Sequence, residues 1–305
     1  LWKEKKLKLT GTFRHEQIAP LFKSIGTFSQ ADRRKFQYEL TGNFGEMSFG
    51  FGNLRSRDNL DDIASILRTL NRQNNFRIGM PLNSFFWAEP KKWLPTVSYT
   101  FGLTHQFGAF LPTAGLFTDE SQVPNQKSFN QAFNAQWEIS ENFGLGYVHS
   151  RTFQDNRQIG RASADLATAS NGITATYRPF QTLGLDFDFA RERQKSFELN
   201  RIDRTFRIGT KGTWQNALFT NSVLSGGFSF TMAGDTGNLN DTRNSEVDAQ
   251  WAYNFSFGEE KFKKVSGQFF VRYANRYGDA IDRENQFNSI NKTQAFNFGL
   301  TFNLF

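Results

Sequence analysis

Apolar and polar residues alternate one by one along most of this chain. The last segment, QAFNFGLTFNLF at residues 294–305, shows the pattern clearly: Phe or Leu stands at every even position from Phe296 to Leu304, and Asn, Gly or Thr stands between them. Successive side chains of a β-strand point to opposite faces of a sheet. The segment therefore predicts a strand with one apolar and one polar face.

The same period recurs from end to end and predicts about 14 strands. The clearest stripes lie at residues 36–40, 47–51, 76–82, 97–103, 133–139, 183–189, 224–232, 247–257 and 265–273. Counts of 12 or 16 stay open, because residues 22–28 and 161–169 could also pair. Pro81 and Pro95 lie in or near the fourth and fifth stripes, and since proline cannot donate to a ladder, that hairpin is expected to be shorter or bulged.

The connections between the stripes separate a membrane barrel from a soluble sandwich. A sandwich core is built mainly of Val, Ile and Leu, whereas this chain of 305 residues has 36 Phe. Short and long connections alternate, and the predicted long ones are residues 16–35, 53–75, 105–128, 152–170, 234–246 and 278–291. Tight periplasmic turns and long extracellular loops are typical of outer-membrane barrels. The prediction is an all-β, transmembrane, antiparallel up-and-down β-barrel.

Backbone groups in hydrocarbon must be paired within the protein, so a membrane-spanning sheet has to close. The apolar stripes are then expected to face lipid and the polar stripes to face the lumen. An even strand count places both termini in the periplasm. We expect one barrel domain over residues 1–305 in the outer membrane of a Gram-negative bacterium.

The carboxy-terminal strand 294–305 resembles the last strand of outer-membrane barrel proteins, because it ends in Phe305. The resemblance implies an architecture rather than one named family. It implies that this strand is recognised by the barrel-insertion machinery, and that the lipid bilayer and lipopolysaccharide surround the protein. Phe305 departs from the usual pattern, since it is one residue out of phase with the apolar stripe.

Composition removes several other classes of protein. No stretch approaches 18 apolar residues, so no transmembrane helix is expected. The absence of Cys excludes disulfides, thiolate metal sites and covalently attached c-type haem. The net charge of +7 comes from scattered Lys and Arg, which argues against a nucleic-acid partner. The chain starts at Leu1 without Met, and we expect that part of a longer protein precedes it.

Candidate catalytic chemistry is sparse. The three histidines, His15, His105 and His149, have no metal-ligand spacing. On the stripe of His149 the next side chain is Arg151, and Ser150 points to the other face, so the nucleophile and base of a barrel phospholipase are absent. We therefore expect no enzymatic activity, no catalytic residues, no bound metal and no cofactor.

Charged residues of both signs fall on the polar stripes. Asp186 and Asp188 stand on a strand beside Arg207 and Lys211, so these four charges can pair across neighbouring strands. The remaining cations outnumber the anions, which predicts a mild anion preference for an open pore. The predicted pore-lining residues are Arg77, Glu138, Arg178, Asp186, Asp188, Arg207, Lys211, Asp248, Arg272 and Arg276.

Two functions fit this pattern. The first is a porin-like channel for small polar or charged solutes. The second is a membrane-embedded barrel module, either of a larger export or secretion protein or as a sheath around a periplasmic or lumenal protein partner. Residues 59–70 have apolar positions at helical spacing, which predicts a short loop helix that folds over the barrel mouth, docks on a partner or is only marginally stable at the surface.

Overall fold

The computed structural model describes residues 5–18, 32–63, 67–87, 89, 91, 93–109, 121, 123–161, 163–257 and 265–304. It is almost entirely β-structure, with one four-residue helix among these residues. No helix in the described part of the chain is both long enough and apolar enough to cross a membrane.

Fourteen strands and the short helix α1 follow one another along the chain. Their bounds are β1 Leu7–Ile18, β2 Arg33–Phe44, β3 Met47–Asp58, β4 Thr69–Pro81, α1 Leu82–Phe85, β5 Thr96–Gly108, β6 Asn125–Ser140, β7 Phe143–Asn156, β8 Leu166–Phe180, β9 Leu183–Ser196, β10 Arg201–Gln215, β11 Ser222–Asp235, β12 Asn240–Phe257, β13 Val265–Asp282 and β14 Phe287–Leu304.

Each strand is hydrogen-bonded to the strand that follows it in sequence. The order within the sheet is β1 to β14 without a crossover, and the pairs with a defined register are antiparallel. The predicted fold class is confirmed: the chain is all-β, with 14 strands in the up-and-down order of outer-membrane barrels. Of the alternative strands, residues 22–28 lie outside the described residues, and β8 begins only at Leu166.

The chain divides into two compact units. Unit 1 comprises Leu1–Gln136, Val148–Ala169 and Gln194–Arg201. Unit 2 comprises Trp137–Tyr147, Ser170–Arg193 and Ile202–Phe305. The strand pairs β1 to β5 lie in unit 1, and the strand pairs β11 to β14 lie in unit 2.

Large apolar side chains are exposed rather than buried in both units. Phe13 is 69% exposed in unit 1, and Phe298 is 76% exposed in unit 2. Among the described residues the only buried apolar side chains are Phe85, Ala135 and Ala252. A sheet of this size in water would bury such rings. The face that carries the apolar stripes, here called the apolar face, therefore has the character of a surface in contact with lipid.

The apolar face of unit 2 changes character along β12, β13 and β14. Residues 247–257 of β12 carry the apolar stripe, and a tilted strand of about 9–11 residues crosses a bilayer. Beyond it the same face carries Arg243, opposite Asp279 of β13. The pairing continues through this polar part, so each of the three strands reaches 18 residues. They extend well past the apolar band.

The connections differ from the sequence prediction in this region. Residues 234–246 and 278–291 were expected to be long loops, but most of them belong to β12, β13 and β14, which are joined to their neighbours by turns at 236–239 and 283–286. Asp235 closes the first turn by accepting hydrogen bonds from the backbone N–H groups of Leu239 (3.1 Å) and Asn240 (2.8 Å). These strand extensions carry polar residues on both faces, so the alternation of apolar and polar residues does not reveal them.

The connection between β4 and β5 is longer than expected for a short turn. It runs over residues 82–95 and contains α1, so the proline-containing hairpin is neither tight nor simply bulged. Phe85 at the end of α1 is only 4% exposed. Its ring lies under Lys5, with the ammonium nitrogen 3.6 Å from the ring centroid. The segment packs against the start of the chain within unit 1.

The predicted helix over residues 59–70 is wrong for the described part of that segment. Thr69 and Leu70 already belong to β4, and residues 59–63 form a turn. Asn59 adopts a φ of 48° and its side chain bonds both the N–H and the carbonyl of Ile63, at 2.8 and 3.0 Å. This local Asn ring competes with a helix start.

The facing of β11 gives a direct test. Phe228 on the apolar face is 40% exposed, and Ser229 is its neighbour on the opposite face. Replacing Phe228 by Arg is expected to cost about 2–4 kcal/mol of unfolding free energy, because it places a charge in hydrocarbon. Denaturant titration of protein folded into phospholipid vesicles measures this difference. The matched control Ser229→Arg should cost much less, and equal costs would contradict the assigned facing.

Candidate functional site

The polar face of unit 1 contains an open cavity of about 430 Å³. One register row runs across its floor from Glu39 through Gly52, Asn75 and Gly102 to Asn130. The two glycines alternate with longer polar side chains, so the cavity floor is deeper at the glycines, where no side chain projects. A Cβ built on Gly102 would lie only 2.2 Å from Asn130 Oδ1, which shows that the amide occupies that space.

Arg77 crosses the polar face of unit 1 beside this row. Its guanidinium Nη2 lies 3.5 Å from Glu39 Oε1. The side chain reaches over Gly50, where an added Cβ would meet Arg77 Nε at 2.5 Å. A glycine at residue 50 thus leaves the room through which the arginine approaches the glutamate.

Asp188 and Arg207 form an ion pair on the polar face of unit 2. Arg207 Nε is 3.2 Å from Asp188 Oδ2. The carboxylate lies over Gly209 of β10, where an added Cβ would come within 2.1 Å of Asp188 Oδ1. The pairing of these charges was expected from the sequence, and the glycine that makes room for it was not.

A second ion pair in unit 2 involves a residue that sequence reasoning missed. Arg276 of β13 stands directly opposite Glu246 of β12, with Arg276 Nε 2.8 Å from Glu246 Oε1. Glu246 was placed at the edge of a predicted loop and was left out of the pore-lining set. It lies instead on the same stripe as Asp248, two residues away, which is the signal that could have identified it.

The remaining predicted residues are spread over the polar stripes. Lys211 stands opposite Gly227, which in turn pairs with Asp248, and Arg272 stands between Gln250 and Asn297. In the part of the chain that the structure describes, no ion pair within 4.0 Å involves the following predicted residues: Glu138, Arg178, Asp186, Lys211, Asp248 and Arg272.

Charges of the two signs balance on this set once its partners are included. The six cations are Arg77, Arg178, Arg207, Lys211, Arg272 and Arg276, and the six anions are Glu39, Glu138, Asp186, Asp188, Glu246 and Asp248. The ten residues predicted from the sequence have an excess of two cations. Adding Glu39 and Glu246, which pair with Arg77 and Arg276, removes that excess, so the twelve residues named carry no net charge.

The histidines lie apart from this polar face. His15 stacks on Phe36 and His105 stacks on Phe107, each with ring centroids 4.5 Å apart. His105 Nε2 is also 2.9 Å from Asn125 Oδ1. Among the described residues no group of three or more His, Asp or Glu side chains has the arrangement of a metal site.

None of the protein-family models and none of the curated protein sequences matches the chain. Solved structures of outer-membrane proteins do resemble it. OmpT, an outer membrane protein of Vibrio cholerae, is 9% identical with a TM-score of 0.39, covering 98% of this chain and 95% of its own. The siderophore receptor PirA from Acinetobacter baumannii is 9% identical with a TM-score of 0.47, over 97% of this chain and 60% of the receptor.

A third similar structure is an anion-selective porin from Comamonas acidovorans. It is 9% identical with a TM-score of 0.31, and the match covers 99% of this chain and all of the porin.

The interaction free energy of the Arg276–Glu246 ion pair can be measured. Both side chains are well exposed, at 63% and 36%, so solvent screens their attraction. A double-mutant cycle with Arg276→Gln and Glu246→Gln is expected to give a coupling of about 0.2–1 kcal/mol. Denaturant unfolding in vesicles measures it. A coupling well above this range would show that the pair is desolvated and contributes to stability rather than to the local charge balance.

Proposed function

We propose that the chain forms one outer-membrane β-barrel that acts as a channel for small polar or charged solutes. In this proposal the sheet closes on itself, the apolar face meets lipid, and the polar face lines the lumen. Closure follows from the need to pair the backbone groups of the first and last strands in hydrocarbon. Both termini then lie in the periplasm.

The observation that carries the proposal is the contrast between the two faces. Apolar rings are exposed on one face in both units, whereas the other face carries the alternating charges, amides and glycines described above. A barrel wall with this polarity is wet inside and apolar outside. Fourteen strands allow an interior wider than that of an eight-stranded barrel, which side chains just fill.

The proposed channel discriminates weakly between ions of opposite sign. The named cations and anions of the polar face are equal in number, and three of the pairs lie within 3.5 Å. Paired charges create a local field that falls off quickly, because screening at about 0.15 M salt acts over roughly 8 Å. The mild anion preference expected from the sequence is therefore replaced by near-neutral selectivity.

Single-channel recording in planar bilayers tests the proposal. The purified chain is expected to give discrete conductance steps, and the same preparation should migrate differently on gels with and without boiling. A folded, heat-modifiable protein that gives no conductance over many insertions would contradict the channel. That result would favour the alternative, a barrel module that surrounds or anchors a protein partner.

Opposite shifts in ion selectivity are expected from the two members of one ion pair. Asp188→Asn leaves Arg207 without its partner and should move the reversal potential in a salt gradient towards anion selectivity. Arg207→Gln should move it towards cations, and both shifts should grow at low salt. Glu284→Gln, which removes a carboxylate from the turn at 283–286, is the matched control. A larger shift in the control would place the selectivity in the connections.

A further inference from the structure

The apolar face of unit 1 ends in a row of cations. Arg34 of β2, Arg55 and Arg57 of β3, Arg72 of β4 and Lys127 of β6 lie on this face beyond the apolar rows, and together they are called the basic rim. They follow the phase of the exposed rings, since Arg55 is four residues beyond Phe51 and Arg72 is four residues before Phe76.

The strand register brings the basic rim together across neighbouring strands. Arg34 stands directly opposite Arg57, and Arg55 stands directly opposite Arg72. The row continues from Arg72 through His105 to Lys127. Residues directly opposite each other in an antiparallel pair have Cβ atoms about 4.5–5.5 Å apart, and like charges there are destabilising. Two adjacent arginine pairs of this kind repel each other, and a bound anion between them would relieve that repulsion.

The protein supplies little negative charge to the basic rim. The stripe that forms the apolar face in β1 to β6 contains no Asp or Glu. Among the described residues no carboxylate forms an ion pair with a member of the rim. Three described acids of the connections on this side have other partners: Asp58 accepts from Thr69 N, Asp32 from Leu60 N, and Asp62 pairs with Arg68.

Arg55 and Arg72 of the rim are exposed, and three members of the rim are partly buried or contact other side chains. Arg57 Nε is buried without a hydrogen-bond partner in the described part of the chain. Arg34 Nε donates to Gln17 Oε1 at 2.9 Å, and the Arg72 guanidinium carbon lies 5.2 Å from the Phe107 ring centroid. A buried unsatisfied donor in a cluster of one sign of charge is where a bound anion is expected.

The surface next to the rim is apolar. Tyr38, Leu40, Phe51 and Phe76 lie on the same face towards the middle of the strands, each 40–44% exposed. A ligand that matches both the basic rim and the adjacent apolar rows must carry negative charge at one end and hydrocarbon at the other. Arg binds phosphate through two parallel N–H donors, which suits clustered phosphates better than a single carboxylate.

We propose that the basic rim binds the phosphate groups of a membrane lipid with more than one phosphate, while its acyl chains cover the adjacent apolar rows. The proposal rests on the lipid contact of the apolar face given above, and it assigns this headgroup site to one leaflet, on the side of the connections at 19–32 and 59–68. The corresponding region of β12 and β13 in unit 2 differs, because Arg243 stands opposite Asp279 and Arg283 lies 3.0 Å from Asp241.

Lipid retention tests the site directly. The full chain is reconstituted in phosphatidylcholine vesicles with a few mole per cent of bisphosphorylated lipid A, re-extracted in mild detergent, and the bound lipid is measured by mass spectrometry. The double variant Arg55→Gln, Arg72→Gln is expected to retain about tenfold less lipid A than the parent, because two charge-assisted contacts are lost. The control double variant Arg243→Gln, Arg283→Gln should retain as much as the parent.

Stability adds a readout that a purely structural role would not produce. In phosphatidylcholine alone, Arg55→Gln should raise the resistance to denaturant, because it relieves the repulsion with Arg72. With lipid A present, the same variant should lower it, because the bridging phosphate is lost. The same direction of change in both membranes would overturn the proposal, as would equal lipid A retention by the rim variant and the control.

Two further arms separate the possible sources of the phosphate and the underlying fold. Inorganic phosphate in excess should not displace lipid A, since it lacks the acyl chains, and full displacement would overturn assignment to a lipid. Gel mobility with and without boiling is recorded for every variant in both membranes. Loss of the folded band would count against the membrane-barrel fold. A parent chain that keeps the folded band but does not retain lipid A would overturn only the proposed lipid site.

Discussion

The ladder of backbone hydrogen bonds between consecutive strands is the constraint on which this structure depends. Because each strand from β2 to β13 pairs with the strand before it and the strand after it, the backbone groups of these strands are largely satisfied within the sheet. The side chains are then released to meet two different environments, one on each face. This explains how a chain with 21% charged residues and 36 Phe can form ordered structure with almost no apolar core among its described residues.

Period-two alternation predicts the sheet wherever the two faces differ in polarity, and it fails where they do not. In β11 the apolar stripe from Leu224 to Met232 is unmistakable, and the strand lies where it was expected. In the outer part of β12 both faces are polar, since Arg243 and Asn244 are neighbours on opposite faces. The backbone still pairs there, but the hydrophobic signal has vanished, so an extended strand was taken for a loop.

Local chemistry explains the two connections that sequence reasoning described wrongly. The apolar spacing of residues 59–70 is helical, but Asn59 bonds the backbone of Ile63 and β4 already begins at Thr69, so neither described end of the segment is helical. Pro81 ends β4, and α1 follows it directly. A pattern of apolar residues contains neither the competing side-chain bond nor the tertiary contact between Lys5 and Phe85 that holds α1.

The charged residues of the polar face were identifiable by phase, whereas their pairing was not, because pairing depends on register and on glycine. Arg77 reaches Glu39 only across Gly50, and Asp188 reaches Arg207 only above Gly209. The same dependence on register separates the two sets of arginines in this protein. On the polar face the register brings Arg276 opposite Glu246, so the charges satisfy each other. On the apolar face of unit 1 it brings Arg55 opposite Arg72, and no carboxylate of the described residues compensates these two charges. Under the two proposals made above, cations that the fold compensates line the channel, and cations that it leaves uncompensated beside the apolar rows bind a lipid that the membrane supplies.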